Sequence, residues 1–238
     1  MTEKSSVDAR CRDIGENYKE ITVKIAAAAV RSGREPSAVR LMAVTKTVEP
    51  VFINCALSLG IGLIGENRVQ ELLSKLEYLE PADVEKHIIG HLQSNKARKI
   101  AGVVSAVDSV DSVAIAKELS RQSEAVGVNT ALLLEVNIGE EASKTGFRYE
   151  AVKEAAAEIA LLPGVSLKGL MAVPPLDAEE AALRGYFSKM RRLFEDMQPA
   201  FPGFDTLSLG MSGDYVAAIE EGSTMVRIGS ALFGARRY

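Results

Sequence analysis

The sequence has few cysteines and no long apolar segment, and both absences limit what the protein can be. Cys11 and Cys55 are its only cysteines, too few for a disulfide framework, and such usage is typical of a reducing compartment. No segment approaches the roughly 18 uninterrupted apolar residues of a membrane span. The first six residues, MTEKSS, lack the apolar core of a signal peptide. We therefore expect a cytoplasmic protein with no membrane partner.

The charge balance is also unremarkable. Lys and Arg total 28 and Asp and Glu total 32, a net charge of −4, so no general electrostatic attraction to nucleic acid is expected. Hydrophobic residues make up 47% of the 238 residues, enough to bury a core without a metal or disulfide. There is no Pro/Gly/Ser-rich linker. We expect one domain over residues 1–238, with residues 1–7 disordered.

Helical and extended patterns alternate along the chain. Apolar side chains at helical spacing predict a first helix that ends near Gly33 and Pro36; they are Ile14, Tyr18, Ile21 and Ile25. A second set at the same spacing is Phe187, Met190, Phe194 and Met197. Short apolar runs predict eight buried strands, near 41–44, 63–64, 88–89, 103–104, 132–134, 167–170, 207–209 and 225–228.

Eight strands alternating with helices favour a (β/α)8 barrel of the TIM type, preceded by one extra helix. An open doubly wound sheet is the alternative fold. That fold normally has a G-x-G-x-x-G turn after its first strand, whereas this strand leads into Thr45-Lys46-Thr47. In a barrel, functional residues lie where the strands end.

Lys46 follows the first strand. A lysine in this position is usually a solvated surface charge. Inside a barrel mouth, however, burial favours the neutral amine, which can attack a carbonyl and form a Schiff base. Lys144, well inside the loop after the fifth strand, is a second and more solvated candidate amine.

Two glycine- and serine-containing turns follow the last two strands. Ser212 is predicted to cap a helix near Val216, and Gly229-Ser230 precedes a short helix. Helix N-termini attract anions, and barrels often bind a phosphate between the seventh and eighth loops. Simple helix capping is the alternative explanation. A phosphate site opposite a reactive lysine indicates a phosphorylated aldehyde or ketone, either a sugar phosphate or pyridoxal 5′-phosphate.

Arg227 lies two residues before Gly229, at the end of the eighth strand. Because successive strand residues face opposite sides, its spacing leaves two interpretations open. If the side chain faces the lumen, its guanidinium would hold the nitrogen of a pyridine ring unprotonated. If it faces outward, an ion pair with a neighbouring element is expected.

Seven ordered motifs cover most of the chain. Together they resemble the pyridoxal phosphate homeostasis protein family, also called the YggS or alanine-racemase N-terminal-domain-like family. The motifs are AVTKT at 43–47, GENRVQE at 65–71, HIIGHLQSNK at 87–96, SKTGF at 143–147, GLMAVPP at 169–175, LSLGMSGD at 207–214 and GSTMVRIGS at 222–230.

This resemblance implies a fold-type III barrel that binds pyridoxal 5′-phosphate. It implies that Lys46 is the Schiff-base lysine and that Arg227 faces the pyridine nitrogen. The expected phosphate ligands are Ser212 and the backbone of Gly229 and Ser230, with Met211 close by. Asn67 and His91 fall within the pocket-lining motifs of the family.

The resemblance also implies a cofactor carrier in pyridoxal phosphate homeostasis, not an efficient enzyme. Alanine racemases have a second domain that supplies a catalytic tyrosine, whereas this sequence ends just after its eighth unit. We expect a monomer whose transient partners are pyridoxal phosphate-dependent apoenzymes. Two alternatives stay open at this point: a pyridoxal phosphate-dependent racemase or lyase, and a Schiff-base aldolase without cofactor.

Two further groups of residues carry less functional information. Lys96, Arg98 and Lys99 predict a solvated helix face, so nucleic-acid binding is not expected. His87 and His91 have no Cys or carboxylate at metal-ligand spacing in the sequence, so no metal site is expected.

Overall fold

The computed structural model describes residues 3–141, 144–175 and 178–235. Eight parallel strands in this part of the chain form a closed barrel in sequence order, with the first strand paired to the eighth. The strands are Arg40–Val44 (β1), Leu63–Glu66 (β2), Glu85–Ile88 (β3), Ala106–Val110 (β4), Thr130–Val136 (β5), Val165–Ala172 (β6), Thr206–Ser208 (β7) and Met225–Ile228 (β8). The predicted (β/α)8 barrel is confirmed.

Helices follow every strand and surround the barrel. They are Glu3–Arg31 (α1), Pro50–Ser58 (α2), Val69–Lys75 (α3), Ser94–Ile100 (α4), Val113–Val126 (α5), Val152–Ile159 (α6), Glu180–Met197 (α7), Tyr215–Glu220 (α8) and Ser230–Phe233 (α9). Short 3-10 helices span Pro36–Ala38, Leu76–Tyr78, Tyr149–Ala151 and Gln198–Ala200.

Side chains from five strands meet inside the barrel. Residues on opposite strands of a closed barrel can touch only in its lumen, and one such cluster joins Met42, Leu63, Leu133, Met171 and Met225. Alternate residues of the strands face the helices, as leucines 132 and 134 of β5 do. The lumen is therefore packed by apolar side chains, and polar residues that face inward must find partners there.

The extra helix α1 packs against α2, α8 and α9. Its buried face includes the predicted residues Ile14, Ile21 and Ile25. Asn17 Nδ2 donates to the carbonyl oxygen of Leu232 in α9, at 3.0 Å. The helix ends at Arg31, and Gly33 follows with a φ of 73°, as the sequence predicts. Helix α1 thus supports the segment that follows β8.

The cysteines differ from the expectation of a reduced pair. Cys11 of α1 and Cys55 of α2 form a disulfide, with their Cα atoms 5.6 Å apart. The sequence does not predict this contact, because the two cysteines are 44 residues apart. Helices α1 and α2 become neighbours only when β1 joins the barrel. The disulfide joins the extra helix to the helix that follows the Lys46 turn.

Two boundary predictions are also wrong. The fourth strand is Ala106–Val110, and Val103 and Val104 lie in the turn that follows α4. Val104 is buried against the helical layer. Its apolar side chain is therefore explained by packing in the core and not by membership of a strand. Residues 3–7 belong to the first turns of α1 instead of a disordered segment. Residues 1 and 2 of that predicted segment lie outside the described residues.

Candidate functional site

Lys46 lies at the carboxyl-end rim of the barrel, between the turns that follow β2 and β8. Strand β1 pairs with both neighbours, with Val44 opposite Gly65 and Ala43 opposite Ile228. Lys46 follows two residues after the end of β1 and is half-buried. The barrel closure therefore brings the first strand of the sequence beside its last turn.

Ser212 and the turn after β8 form a single hydrogen-bonded unit. The Ser212 hydroxyl accepts from the backbone N–H of Gly229 at 3.2 Å and of Ala231 at 3.1 Å. The prediction that Ser212 caps the helix near Val216 is wrong, because Asp214 precedes α8 and Ser212 instead binds the start of α9. Ser212 thus binds the N–H of Gly229, one of the two backbone groups expected to bind phosphate, and the N–H of Ala231.

Gly229 lies next to Val44 of β1. A Cβ atom added there would lie 3.5 Å from Cβ of Val44, an ordinary contact with no overlap. Ser230 is the exposed first residue of α9. The turn after β8 thus combines backbone N–H groups with the partial positive charge of a helix start.

Met211 immediately precedes Ser212, and hydrogen bonds within the turn after β7 hold its backbone. Its N–H donates to Asp214 Oδ1, and its carbonyl oxygen accepts from the N–H of Tyr215 at 2.9 Å. Gly210, immediately before it, has a φ of 90° and lies so close to α8 that an added Cβ would be 2.6 Å from Cβ of Ala218. The backbone around Met211 and Ser212 is therefore determined by the packing of α8.

Arg227 faces the lumen, which settles the choice that its spacing left open. Its Nη1 donates to the carbonyl oxygen and hydroxyl of Ser208, at 2.7 and 2.6 Å, and its Nη2 donates to the Ala172 carbonyl oxygen at 3.0 Å. The side chain is buried. Burial lowers the pKa of Arg227, and the carboxylates of Asp108, Asp214 and Glu135 oppose that shift.

Asn67 and His91 follow β2 and β3 along the same rim. Both line a cavity of about 270 Å³. The Oδ1 atom of Asn67 is buried and has no hydrogen-bond partner among the described residues. His91 is half-exposed, and its Nδ1 lies 2.8 Å from Asp111 Oδ2. An unsatisfied buried amide oxygen is costly, so Asn67 is suited to a ligand that donates to it.

Lys144 has a different environment. Its Nζ lies 2.6 Å from Glu141 Oε1 and donates to the Pro174 carbonyl oxygen at 3.1 Å. These two contacts join the Lys144 amine to its own loop and to the segment that follows β6. Ser143, the neighbour in the same motif, lies outside the described residues.

A charged network joins the neighbouring strands β3 and β4, and its residues were not predicted as site residues from the sequence. His87 Nδ1 lies 2.9 Å from Asp108 Oδ1, and His87 Nε2 lies 2.8 Å from Glu85 Oε1. Burial alone would lower the pKa of His87, but the two carboxylates raise it to about 9. The His87 hydrogen bond is the main cause that lowers the pKa of Glu85 to about 2. Period-two spacing of polar residues in β3, Glu85 and His87, was the available signal.

Glu135 is a second missed residue of the barrel mouth. Burial raises its pKa, and the Asp111 charge adds to that effect.

Across the described ranges, no group of three His, Cys, Asp or Glu side chains could hold a metal ion. No helix within those ranges is long and apolar enough to cross a membrane.

Comparison with known proteins identifies the family. The model of the alanine racemase N-terminal domain family matches residues 22–237. The pyridoxal phosphate homeostasis protein of Pseudomonas aeruginosa is 43% identical over 225 residues, which cover 94% of this chain and 96% of that protein. The chain belongs to the pyridoxal phosphate homeostasis protein family. The Escherichia coli member is 41% identical, covering 95% of this chain and 98% of that protein.

Solved structures agree with this assignment. The structure of PipY from Synechococcus elongatus with pyridoxal phosphate bound is 34% identical, with a TM-score of 0.77, covering 88% of this chain and all of that chain. Alanine racemase from Streptomyces coelicolor has a TM-score of 0.71 at 18% identity, covering 90% of this chain and 58% of that chain. The second likeness concerns the fold alone.

Proposed function

We propose that this protein binds pyridoxal 5′-phosphate at the carboxyl-end rim of its barrel and acts in the homeostasis of that cofactor. One observation carries the proposal: the Ser212 hydroxyl and the N–H groups at the start of α9 lie together after β8, the strand that pairs with β1 and so lies beside the Lys46 turn. A phosphate-binding turn next to an amine matches a ligand that has both a phosphate and an aldehyde. The names of the relatives support the same cofactor.

The residues of the rim fit this cofactor. The N–H groups of Gly229 and Ser230 and the Ser212 hydroxyl bind the phosphate, with Met211 packed nearby. Lys46 supplies the amine for covalent attachment. Asn67 and His91 line a cavity formed by the segments that follow β2 and β3, and the unsatisfied Asn67 oxygen accepts from the ligand. When bound, the cofactor supplies an aldehyde that combines with amines and a ring that withdraws electrons from them.

Arg227 supports a holding function over a catalytic one. Its guanidinium donates hydrogen bonds and stays charged, so it holds an opposing ring nitrogen unprotonated. An unprotonated ring is a weaker electron sink, and amino-acid chemistry on it is slow. The proposed protein is therefore a carrier, with transient transfer to pyridoxal phosphate-dependent apoenzymes. We propose that it works as a monomer in the cytoplasm.

Covalent labelling at Lys46 tests the proposal. The protein incubated with pyridoxal 5′-phosphate should develop visible absorbance, and borohydride should then add mass to the peptide that contains Lys46. Lys46→Ala should lose the covalent product and keep weaker binding through the Ser212 unit, whereas Lys144→Ala should behave as the parent protein. Labelling that persists in Lys46→Ala, or none in the parent, would contradict the proposal.

A second measurement separates the carrier from the racemase or lyase alternative. The loaded protein is incubated with L-alanine and other L-amino acids, and the products are separated by a chiral method. We expect little racemisation or elimination. Turnover near the enzyme median of roughly 10 s⁻¹ would favour the enzyme alternative. Loss of that turnover in Lys46→Ala would show that the rim performs it.

A further inference from the structure

The motif that contains Asn67 has two carboxylates that the proposed cofactor site does not use. Glu66 is fully buried at the end of β2, and Glu71 lies in the first turn of α3. Lys75, at the end of α3, joins them: its Nζ lies 2.6 Å from Glu66 Oε1 and 2.6 Å from Glu71 Oε1. Its side chain is only 9% exposed, so this is a buried cluster of three charged groups.

This cluster contacts the backbone on both sides of Lys46. Before Lys46, the Thr45 carbonyl oxygen accepts from Lys75 Nζ at 2.8 Å, and the Thr45 hydroxyl donates to Glu66 Oε1 at 2.8 Å. After Lys46, the Thr47 N–H donates to Glu71 Oε1 at 2.5 Å. Every one of these bonds has a charged partner, which makes them stronger than bonds between neutral groups.

The turn held in this way has an unfavourable backbone conformation. Thr47 has a φ of 62°, in the left-handed region that a β-branched residue rarely adopts. Such a conformation persists only where surrounding contacts impose it, and it is most common at functional sites. The Glu71 carboxylate provides such a contact, because it binds the N–H of the strained residue itself.

We propose that Glu66, Glu71 and Lys75 form an ionic clamp that holds the Lys46 turn in its strained conformation, with Glu71 as the positioning residue. The role assigned to Lys46 rests on the proposed function, but the clamp itself is a property of the protein without cofactor. In this arrangement the backbone that carries Lys46 is held in one conformation, so that less conformational freedom is lost when its amine reacts. The clamp touches the backbone next to Lys46 and does not act on the ligand.

Glu71→Ala is the sharpest test. Removal of Glu71 leaves Lys75 paired with Glu66, so no buried charge is left without a partner and the fold should survive. We expect amide exchange at Thr47 to accelerate about tenfold or more, the usual effect of losing a hydrogen bond to a charged group. Covalent attachment of pyridoxal 5′-phosphate to Lys46 should slow by a similar factor.

Glu71→Gln keeps an oxygen acceptor and should recover much of both losses. Glu77→Ala, an exposed change after the same helix, is the matched control.

A second variant tests whether strain is the reason. Glycine adopts positive φ freely, so Thr47→Gly in the Glu71→Ala background should restore much of the attachment rate without restoring the carboxylate. Unchanged Thr47 exchange and unchanged attachment in Glu71→Ala would overturn the clamp. If the parent protein attaches no cofactor at Lys46, the proposed function fails, and Thr47 exchange in Glu71→Ala against Glu77→Ala still decides the clamp.

Discussion

Two side chains are central to the binding proposed for the rim, the Ser212 hydroxyl and the Arg227 guanidinium. Ser212 gathers two backbone N–H groups of a turn 17 residues further along the chain, and Arg227 is anchored by three hydrogen bonds inside the lumen. Ser212 binds backbone N–H groups, and two of the three bonds of Arg227 go to backbone carbonyl oxygens, the third to the Ser208 hydroxyl. Their positions therefore follow from the barrel strands, which favours a site that is formed before the ligand arrives.

Ser212→Ala should weaken pyridoxal 5′-phosphate binding about 10–150-fold, because it removes a hydrogen bond to a charged group worth roughly 1.5–3 kcal/mol. Equilibrium titration by absorbance measures the change. Pyridoxal, which lacks the phosphate, should bind poorly to the parent protein and lose little in the variant. Ser58→Ala, an exposed serine of α2, is the control. Equal binding of pyridoxal and its phosphate ester would refute the phosphate site.

The short helix α8 and the long helix α1 both contact the segments that form the rim. Helix α8 packs directly on Gly210, two residues before Ser212, and α1 binds α9 through Asn17. The rim turns after β7 and β8 therefore depend on helices that lie outside the barrel. Changes in these helices should therefore alter the proposed phosphate site without contacting it.

Gly210→Ala tests the contact with α8. The new methyl group would lie 2.6 Å from Ala218 Cβ and 2.9 Å from Tyr215 Cα, at a backbone φ of 90°. We expect a loss of stability of about 1–3 kcal/mol from backbone strain, with overlap adding to it, and weaker cofactor binding. Gly213→Ala, in the same loop, meets nothing within 4 Å and should be near neutral. Equal melting temperatures for the two variants would contradict this account.

The disulfide between α1 and α2 makes the stability of the helical layer sensitive to reductant. Closing a loop with a 44-residue separation removes denatured-state entropy worth up to roughly 4 kcal/mol. A reductant should therefore lower the melting temperature of the parent protein by several degrees. Cys11→Ser should melt lower than the parent and show no response to reductant. A parent protein indifferent to reductant would argue against this contribution.

For the whole molecule, the charged network of β3 and β4 links stability to pH. Protonated His87 has a folded pKa of about 9 against an ordinary value of 6.5. Its contribution of roughly 3 kcal/mol is thus complete below about pH 6.5 and is lost as the pH rises through 9. The free energy of unfolding should fall across this window, and His87→Gln should flatten the fall. His91→Gln, at the other histidine of the chain, should keep it.

Much of the architecture could be read from local patterns. The helical spacing of apolar residues predicts that Phe187 and Met190 lie on the buried face of α7. Short apolar runs predict the approximate positions of seven of the eight strands. The prediction for the fourth strand is wrong because tertiary packing buries Val104 and partly buries Val103 outside any strand. A short apolar run has no periodic pattern that would separate this case from a strand. Lys46 and the turns near Ser212 and Gly229 were predictable as rim positions because barrel strands end there.

The sequence by itself determined the barrel, its family and the order of the rim turns, since these depend on local periodicity and on motifs contiguous in the chain. Only the tertiary structure decided how residues from distant strands meet. It turned Arg227 inward, moved the Ser212 hydroxyl from α8 to α9, and joined Glu71 to Thr47 across β1 and α3. These contacts arise from barrel closure and helix packing. Both bring together residues that are far apart in the sequence, and no local sequence pattern predicts such contacts.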